Sequence, residues 1–211
     1  MPLNHRNISL IQSTLNKNSH KTELMVVSKN RSFEDVRELL EMGYRLFGEN
    51  RVQEAKKKFE LIKKDSFKLH LIGPLQTNKV KDALQLFDVI QTLDRPKLID
   101  EIFNYISHNK KVLTRDFYIQ VNIGNEIQKS GVAPEELKDF YNYAKLKKLN
   151  VVGLMCIPPV SKLPDSFFTE MLNLKNKINQ NLKLSMGMSS DYEVALKTGS
   201  DLIRVGSKIF N

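Results

Sequence analysis

Near the start of the chain a lysine closes the apolar run Thr22-Glu23-Leu24-Met25-Val26-Val27-Ser28-Lys29. Two late turns offer groups that an anion needs: Ser185-Met186-Gly187-Met188-Ser189-Ser190-Asp191 and Arg204-Val205-Gly206-Ser207. The run around Val26 and Val27 reads as a buried strand, because β-branched side chains suit the pleat and the run is short for a helix. Alternation then puts Met25, Val27 and Lys29 on one face and Leu24, Val26 and Ser28 on the other. If the first face is interior, the Lys29 amine sits at the lip of a hydrophobic interior. Desolvation there favours the neutral, nucleophilic form that a Schiff-base lysine requires. The plainer reading is a solvated lysine that ends a strand.

In the first late turn, small residues and hydroxyls precede a short helix, where free N–H groups and the helix dipole attract an anion. Simple capping by Ser189 and Ser190 is the alternative. In the second, Gly206 permits close backbone approach and Ser207 adds a hydroxyl. Arg204 alternates with Leu202, which places a guanidinium inside the fold, where it needs an anion, a strong acceptor or a structural ion pair.

The elements that must position these groups follow a strand–helix rhythm. A helix with Ile8, Ile11 and Leu15 on one stripe precedes the Lys29 strand. Ser32-Phe33-Glu34-Asp35 forms a capping box for a helix that ends at Gly43, and further strands are expected at 44–48, 67–72 and 87–91. Thr77 can cap the helix through Leu84, and Asp94 the helix that Pro96 starts. Strands at 117–123, 151–157, 182–186 and 202–205 complete the series, and a polar loop at 124–131 is the longest between elements. Eight strands with crossovers too short to be anything but parallel predict an α/β chain folded as a (β/α)8 TIM barrel, one domain over residues 1–211. The additional N-terminal helix is expected to fill the gap between strands eight and one. A doubly wound open sheet is disfavoured because no Gly-x-Gly-x-x-Gly follows the first strand.

The bulk numbers fit this reading. A chain of 211 residues can bury one sizeable core. The polar N-terminus, the single Cys156 and the lack of any apolar run of roughly 18 residues point to a cytoplasmic protein with no membrane partner. The net charge of +9 raises nucleic acid as a partner, but no aromatic platform is interleaved with the lysines. Lys56-Lys57-Lys58 and Lys147-Lys148 are therefore read as solvated helix faces or ends. Gly73 to Lys79 fails as a P-loop, since there is no second glycine before Lys79. Cys156 reads as a small buried hydrophobe, and no metal-ligand spacing is present.

A family resemblance rests on a set of motifs in order. They are Val27-Ser28-Lys29, Phe47-Gly48-Glu49-Asn50 with Val52-Gln53-Glu54, His70 through Lys79, Lys129-Ser130-Gly131, Gly153-Leu154-Met155 with Ile157-Pro158, and Gly187-Met188-Ser189 with Asp191. Together they resemble the signature of the pyridoxal 5′-phosphate homeostasis proteins, a family similar to the N-terminal barrel domain of alanine racemase. The resemblance implies an internal aldimine between Lys29 and pyridoxal phosphate. It also implies a phosphate site at Ser189, Gly206 and Ser207, with Arg204 facing the pyridine nitrogen. Asn50 and His70, at the ends of strands two and three, would approach the ring or its hydroxyl. Arg51 departs from the family, which has an aromatic residue there, and beyond Phe210-Asn211 the family continues with glycine and a short tail.

The function so implied is binding, buffering and delivery of pyridoxal phosphate without catalytic turnover, by a monomer, with apo-enzymes that use the cofactor as its recipients. Racemisation needs bases on both faces of the cofactor, and the similar racemases take the second, a tyrosine, from an added β domain. An arginine at the pyridine nitrogen also keeps the ring a poor electron sink. A small racemase or lyase with an unidentified base is the competing reading, and a basic nucleic-acid-binding module a third.

Overall fold

Eight parallel strands close on themselves in chain order, each hydrogen-bonded to the next and the eighth to the first. The computed structural model describes residues 3–109, 111–160 and 163–210. The strands are β1 (Glu23–Val27), β2 (Leu46–Glu49), β3 (Lys68–Leu71), β4 (Val89–Leu93), β5 (Asp116–Val121), β6 (Val151–Cys156), β7 (Lys183–Ser185) and β8 (Leu202–Val205). The helices are α1 (His5–Lys17), α2 (Phe33–Glu41), α3 (Val52–Phe59), α4 (Val80–Leu86), α5 (Pro96–His108), α6 (Leu137–Leu146), α7 (Pro164–Ile178), α8 (Tyr192–Lys197) and α9 (Ser207–Phe210).

The expected barrel is thus the observed one, and the first helix takes the predicted place. Ile8 and Ile11 of α1 are buried in the main core. The Asn4 N–H donates to the Ile209 carbonyl at 2.8 Å, and the Asn7 side chain donates to the Lys208 carbonyl at 3.0 Å, which fastens α1 to the short α9. Asn211 lies outside the described residues.

Alternation gives the wall two apolar faces. Val26, Phe47, Leu69 and Ile90 point outward under the helices and form the main core with them. A smaller cluster of Val89, Tyr118 and Met155 fills the inside. The inner face also carries polar groups. Arg204 lies beside Met25 in the β8–β1 register and His70 beside Gly48 in β2–β3. A Cβ at Gly48 would come within 2.6 Å of the Met25 sulfur, so the absence of a side chain there gives Met25 its room.

Several helix starts differ from expectation. Ser32 and Asp35 form the predicted capping box, each side chain accepting the other's backbone N–H at 3.1 and 2.9 Å. Thr77 instead opens a single 3-10 turn ahead of α4. Asp94 does not cap α5: its carboxylate pairs with Arg95, whose guanidinium also donates to the Leu75 carbonyl at 2.8 Å. A charge-assisted contact has taken the side chain that the backbone would otherwise use.

Candidate functional site: the carboxyl end of the barrel

Segments that follow β1, β2, β3, β6, β7 and β8 converge on a cavity of about 520 Å3. Six of the seven residues expected at the site line it: Lys29, Asn50, Ser189, Arg204, Gly206 and Ser207. Its apolar wall is Val27, Ile72, Ile157 and Met188. Ligand sites at this end of such barrels follow from the geometry, because the loops after the strands carry side chains that the wall does not have to pack.

Lys29 extends the inward line of Met25 and Val27, as alternation requires, but its expected desolvation is not found. The residue is exposed, in the turn after β1, at the mouth of the cavity. Its neighbours in sequence are held firmly. Behind the turn, Lys58 donates to the Ser28 carbonyl at 2.6 Å, to Glu49 Oε1 at 2.7 Å and to Glu54 Oε1 at 3.1 Å. The Ser28 hydroxyl donates to the same Glu49 oxygen at 2.7 Å, and the Asn30 N–H to Glu54 Oε1 at 2.5 Å. Asn30 takes the left-handed conformation, φ 59°.

Lys58 therefore corrects the sequence reading, which made it part of a solvated face. It is 5% exposed and lies between α3 and the outer face of β2. Glu49 is wholly buried, and burial raises its carboxyl above the ordinary carboxylate range while Lys58 draws it back. The Glu54–Lys58 spacing of four residues on a helix foretells that contact, but Lys56–Glu60 has the same spacing on an exposed face, so no sequence signal marks the Glu49–Lys58 pair.

The phosphate-type groups lie where the two late turns meet. Ser189 and Ser190 do not cap α8, whose N-cap is Asp191. The Ser189 hydroxyl instead accepts the N–H groups of Gly206 at 3.3 Å and Lys208 at 3.5 Å, so hydroxyl and amides already face one another. A side chain at Gly206 would press on Val27, with its Cβ 3.0 Å from the Val27 carbonyl oxygen. Lys208, which sequence reasoning passed over, also lines the cavity, with its ammonium 4.8 Å from the Tyr192 ring centre.

Arg204 is buried without a salt bridge among the described residues. Its guanidinium donates to the Ser185 carbonyl at 2.6 Å, the Ser185 hydroxyl at 2.8 Å and the Cys156 carbonyl at 2.8 Å. Its three hydrogen bonds all go to neutral acceptors, and burial pushes the guanidinium below its usual range while the Asp191 carboxylate works the other way. Cys156 is a buried free thiol, as expected, pushed up to about 12 by that burial.

His70 is the exception among the seven. It does not line the cavity: it sits inside the barrel within β3 and borders a depression at the amino ends of the strands. Its Nδ1 lies 2.9 Å from the Gln91 amide nitrogen, and Gln91 Oε1 accepts the Ser185 hydroxyl at 2.7 Å. The position was expected to point up from the strand end, but the register that pairs it with Gly48 and Val89 sets it below the rim. Burial, with nearby Lys68, Lys64 and Lys183, lowers its imidazole to about 3. A neutral ring accepting at Nδ1 and carrying its proton on Nε2 fits this chain of bonds.

The residues present suit an aromatic aldehyde phosphate: an amine at the mouth, apolar walls for a ring, and amides and hydroxyls for a phosphate. A closed barrel bearing that donor set at its carboxyl end defines the class of alanine-racemase-type barrels. The pattern of the family described as "Alanine racemase, N-terminal domain" matches residues 4–211. Within that class, the chain belongs to the pyridoxal phosphate homeostasis protein family. It is 39% identical over 197 residues to the "Pyridoxal phosphate homeostasis protein" of Aquifex aeolicus, covering 89% of this chain and 86% of that one. The protein of the same name from Haemophilus influenzae is 35% identical over 223 residues, covering 97% and 93%. Among solved structures, PipY of Synechococcus elongatus without PLP superimposes with a TM-score of 0.85 at 30% identity, covering 98% of this chain and 99% of that one. A second PipY structure, with PLP bound, gives 0.83 over the same shares.

Proposed function

We propose that this chain binds pyridoxal 5′-phosphate and takes part in its homeostasis by holding, buffering and releasing it, with the cofactor linked to Lys29 as a Schiff base. The observation that carries the proposal is the convergence of the Lys29 amine, the Ser189–Gly206–Lys208 cluster and the Arg204 guanidinium on one cavity. The PLP-bound PipY structure and the names of the curated relatives support the same ligand.

In this reading Lys29 would supply the amine that takes up the cofactor's aldehyde, with the carbonyl oxygen lost as water. Ser189, Ser207 and the Gly206 N–H would hold the phosphate, Arg204 would serve the pyridine nitrogen, and Asn50 would flank the ring. Asn50 is fixed for this by the turn after β3: a Cβ at Gly73 would fall 2.2 Å from the Asn50 carbonyl oxygen, so only glycine lets the two strands' ends pack so closely. His70 would not touch the cofactor in this reading; three hydrogen bonds, through Gln91 and Ser185, separate it from Arg204.

Bound in this way the cofactor supplies an electrophilic imine, yet turnover needs more. Among the described residues that line the cavity, Lys29 and Lys208 are the basic groups that could accept a proton, and Lys29 is taken up by the cofactor in this reading. In this reading the chain acts without turnover, in the cytoplasm, with cofactor-requiring apo-enzymes as recipients; the names of the curated relatives support a homeostatic role. The purified protein given pyridoxal phosphate should turn yellow, and borohydride should fix the adduct on the peptide that contains Lys29. The Lys29→Ala variant should lose both signals. A wild type that takes up no cofactor would refute the proposal, and sustained α-proton exchange of amino acids in deuterated water would overturn the absence of turnover.

A further inference from the structure

We infer that Glu54 and Lys58 are positioning residues for Lys29, acting as a two-armed brace on the backbone either side of it. The inference rests on the proposed Schiff base at Lys29. Lys29 is exposed, and among the described residues no hydrogen bond or ion pair holds its ammonium, so the direction of its side chain is set by the main chain from which it springs. One arm is the Lys58 ammonium on the Ser28 carbonyl, 2.6 Å, immediately before Lys29. The other is the Glu54 carboxylate on the Asn30 N–H, 2.5 Å, immediately after it. The arms are tied to each other by the 3.1 Å Lys58–Glu54 contact and anchored to β2 through wholly buried Glu49.

The brace is directional. The Asn30 N–H and the Ser28 carbonyl both turn away from the cavity toward α3, and Asn30 adopts φ 59°, the left-handed conformation that asparagine accepts more readily than other side chains and that turns the chain at this point. With the flanking peptides turned outward, the residue between them presents its side chain toward the cavity, which Lys29 lines. None of Glu49, Glu54 or Lys58 lines that cavity, so their effect on Lys29 is one of orientation.

Orientation and affinity separate experimentally. Pyridoxine 5′-phosphate carries the ring and the phosphate but has no aldehyde, so it reports binding alone. Pyridoxal 5′-phosphate at saturation reports how well the amine is aimed, through the rate at which the imine absorbance appears. Glu54→Ala removes the acceptor from Asn30, whereas Glu54→Gln keeps an oxygen there. We expect Glu54→Ala to slow imine formation at saturation by about tenfold or more, the scale on which small misplacements act. Its affinity for pyridoxine 5′-phosphate should stay within about twofold of wild type, since the phosphate contacts are untouched. Glu54→Gln should restore most of the rate. Lys58→Met, the second variant, should slow the imine in the same sense but less, because the Ser28 carbonyl still accepts the Arg31 N–H at 3.1 Å and the Ser28 N–H still reaches Gly48. Imine formation at the wild-type rate in Glu54→Ala, or a parallel loss of rate and of pyridoxine 5′-phosphate affinity in both variants, would overturn the inference. If wild type gives no borohydride-stable adduct at Lys29, the Schiff-base reading falls and the brace with it. A wild type that forms the adduct with indifferent variants removes the brace alone.

Discussion

His70 shows how one misplaced side chain can be informative. The folded chain refuses a proton that the unfolded chain takes up below about 6.5, until its own value of about 3 is reached. In that window the unfolded state holds more protons, so the contribution to stability is complete above pH 6.5 and is lost as pH falls toward 3. A shift of this size is worth on the order of 5 kcal/mol over the full window. We expect His70→Gln to flatten the acid limb: between pH 7 and pH 4.5 wild type should lose more stability in urea than the variant does. Equal losses would show that the imidazole does not set the limb. The glutamine variant should bind pyridoxal phosphate nearly as wild type does, because position 70 is off the cavity. At this scale the sequence was legible where chemistry and alternation coincide, as at Lys29 and Arg204. It was not legible where a charge is hidden by a tertiary partner. Lys58 sits in a run of three lysines, and only the packing of α3 on β2 distinguishes it from Lys56 and Lys57.

Among the elements, α9 carries the most consequence for its length of four residues. On one side its first turn meets Ser189, and on the other its carbonyls receive Asn7 and the backbone of Asn4 from α1. The stacking of Arg31 on the Phe210 ring, 4.5 Å to its centre, ties the same short helix to the loop after β1. Loosening α9 should therefore be felt at the phosphate groups. Asn7→Ala, on the outer helix, should cost about 1 kcal/mol of stability through the lost hydrogen bond and raise the dissociation rate of pyridoxine 5′-phosphate several-fold. Ser189→Ala should raise that rate further. If stopped-flow release from Asn7→Ala matches wild type, α1 does not reach the site. The order and type of the elements could be read from apolar spacing, Pro96 and the Ser32–Asp35 box, whereas helix starts at Thr77, Asp94 and Ser190 could not. At each of the three an oxygen-bearing side chain suited a cap locally, and at Asp94 the tertiary structure gave it to an arginine instead.

For the whole molecule, seven short crossovers leave little room for another topology, which is why the barrel could be foreseen from spacing alone. None of the helices among the described residues is long and apolar enough to cross a membrane. The net charge of +9 is spread over helices whose lysines mostly face solvent, while Arg204, the one buried cation among the described residues that line the cavity, donates its hydrogen bonds to neutral oxygens. An anionic occupant lowers the energy of that arrangement, and a ligand that binds the native state alone stabilises it by mass action, about 2.7 kcal/mol at a hundredfold excess over its dissociation constant. The melting temperature should rise with pyridoxine 5′-phosphate, and less so in Arg204→Gln; an unchanged midpoint would show that the guanidinium is already content with its carbonyl neighbours. If the rise is found, nutrition writes itself into turnover. Cells starved of the vitamin would carry this polypeptide in a state that proteases open more often, so its abundance would follow supply without any change in transcription.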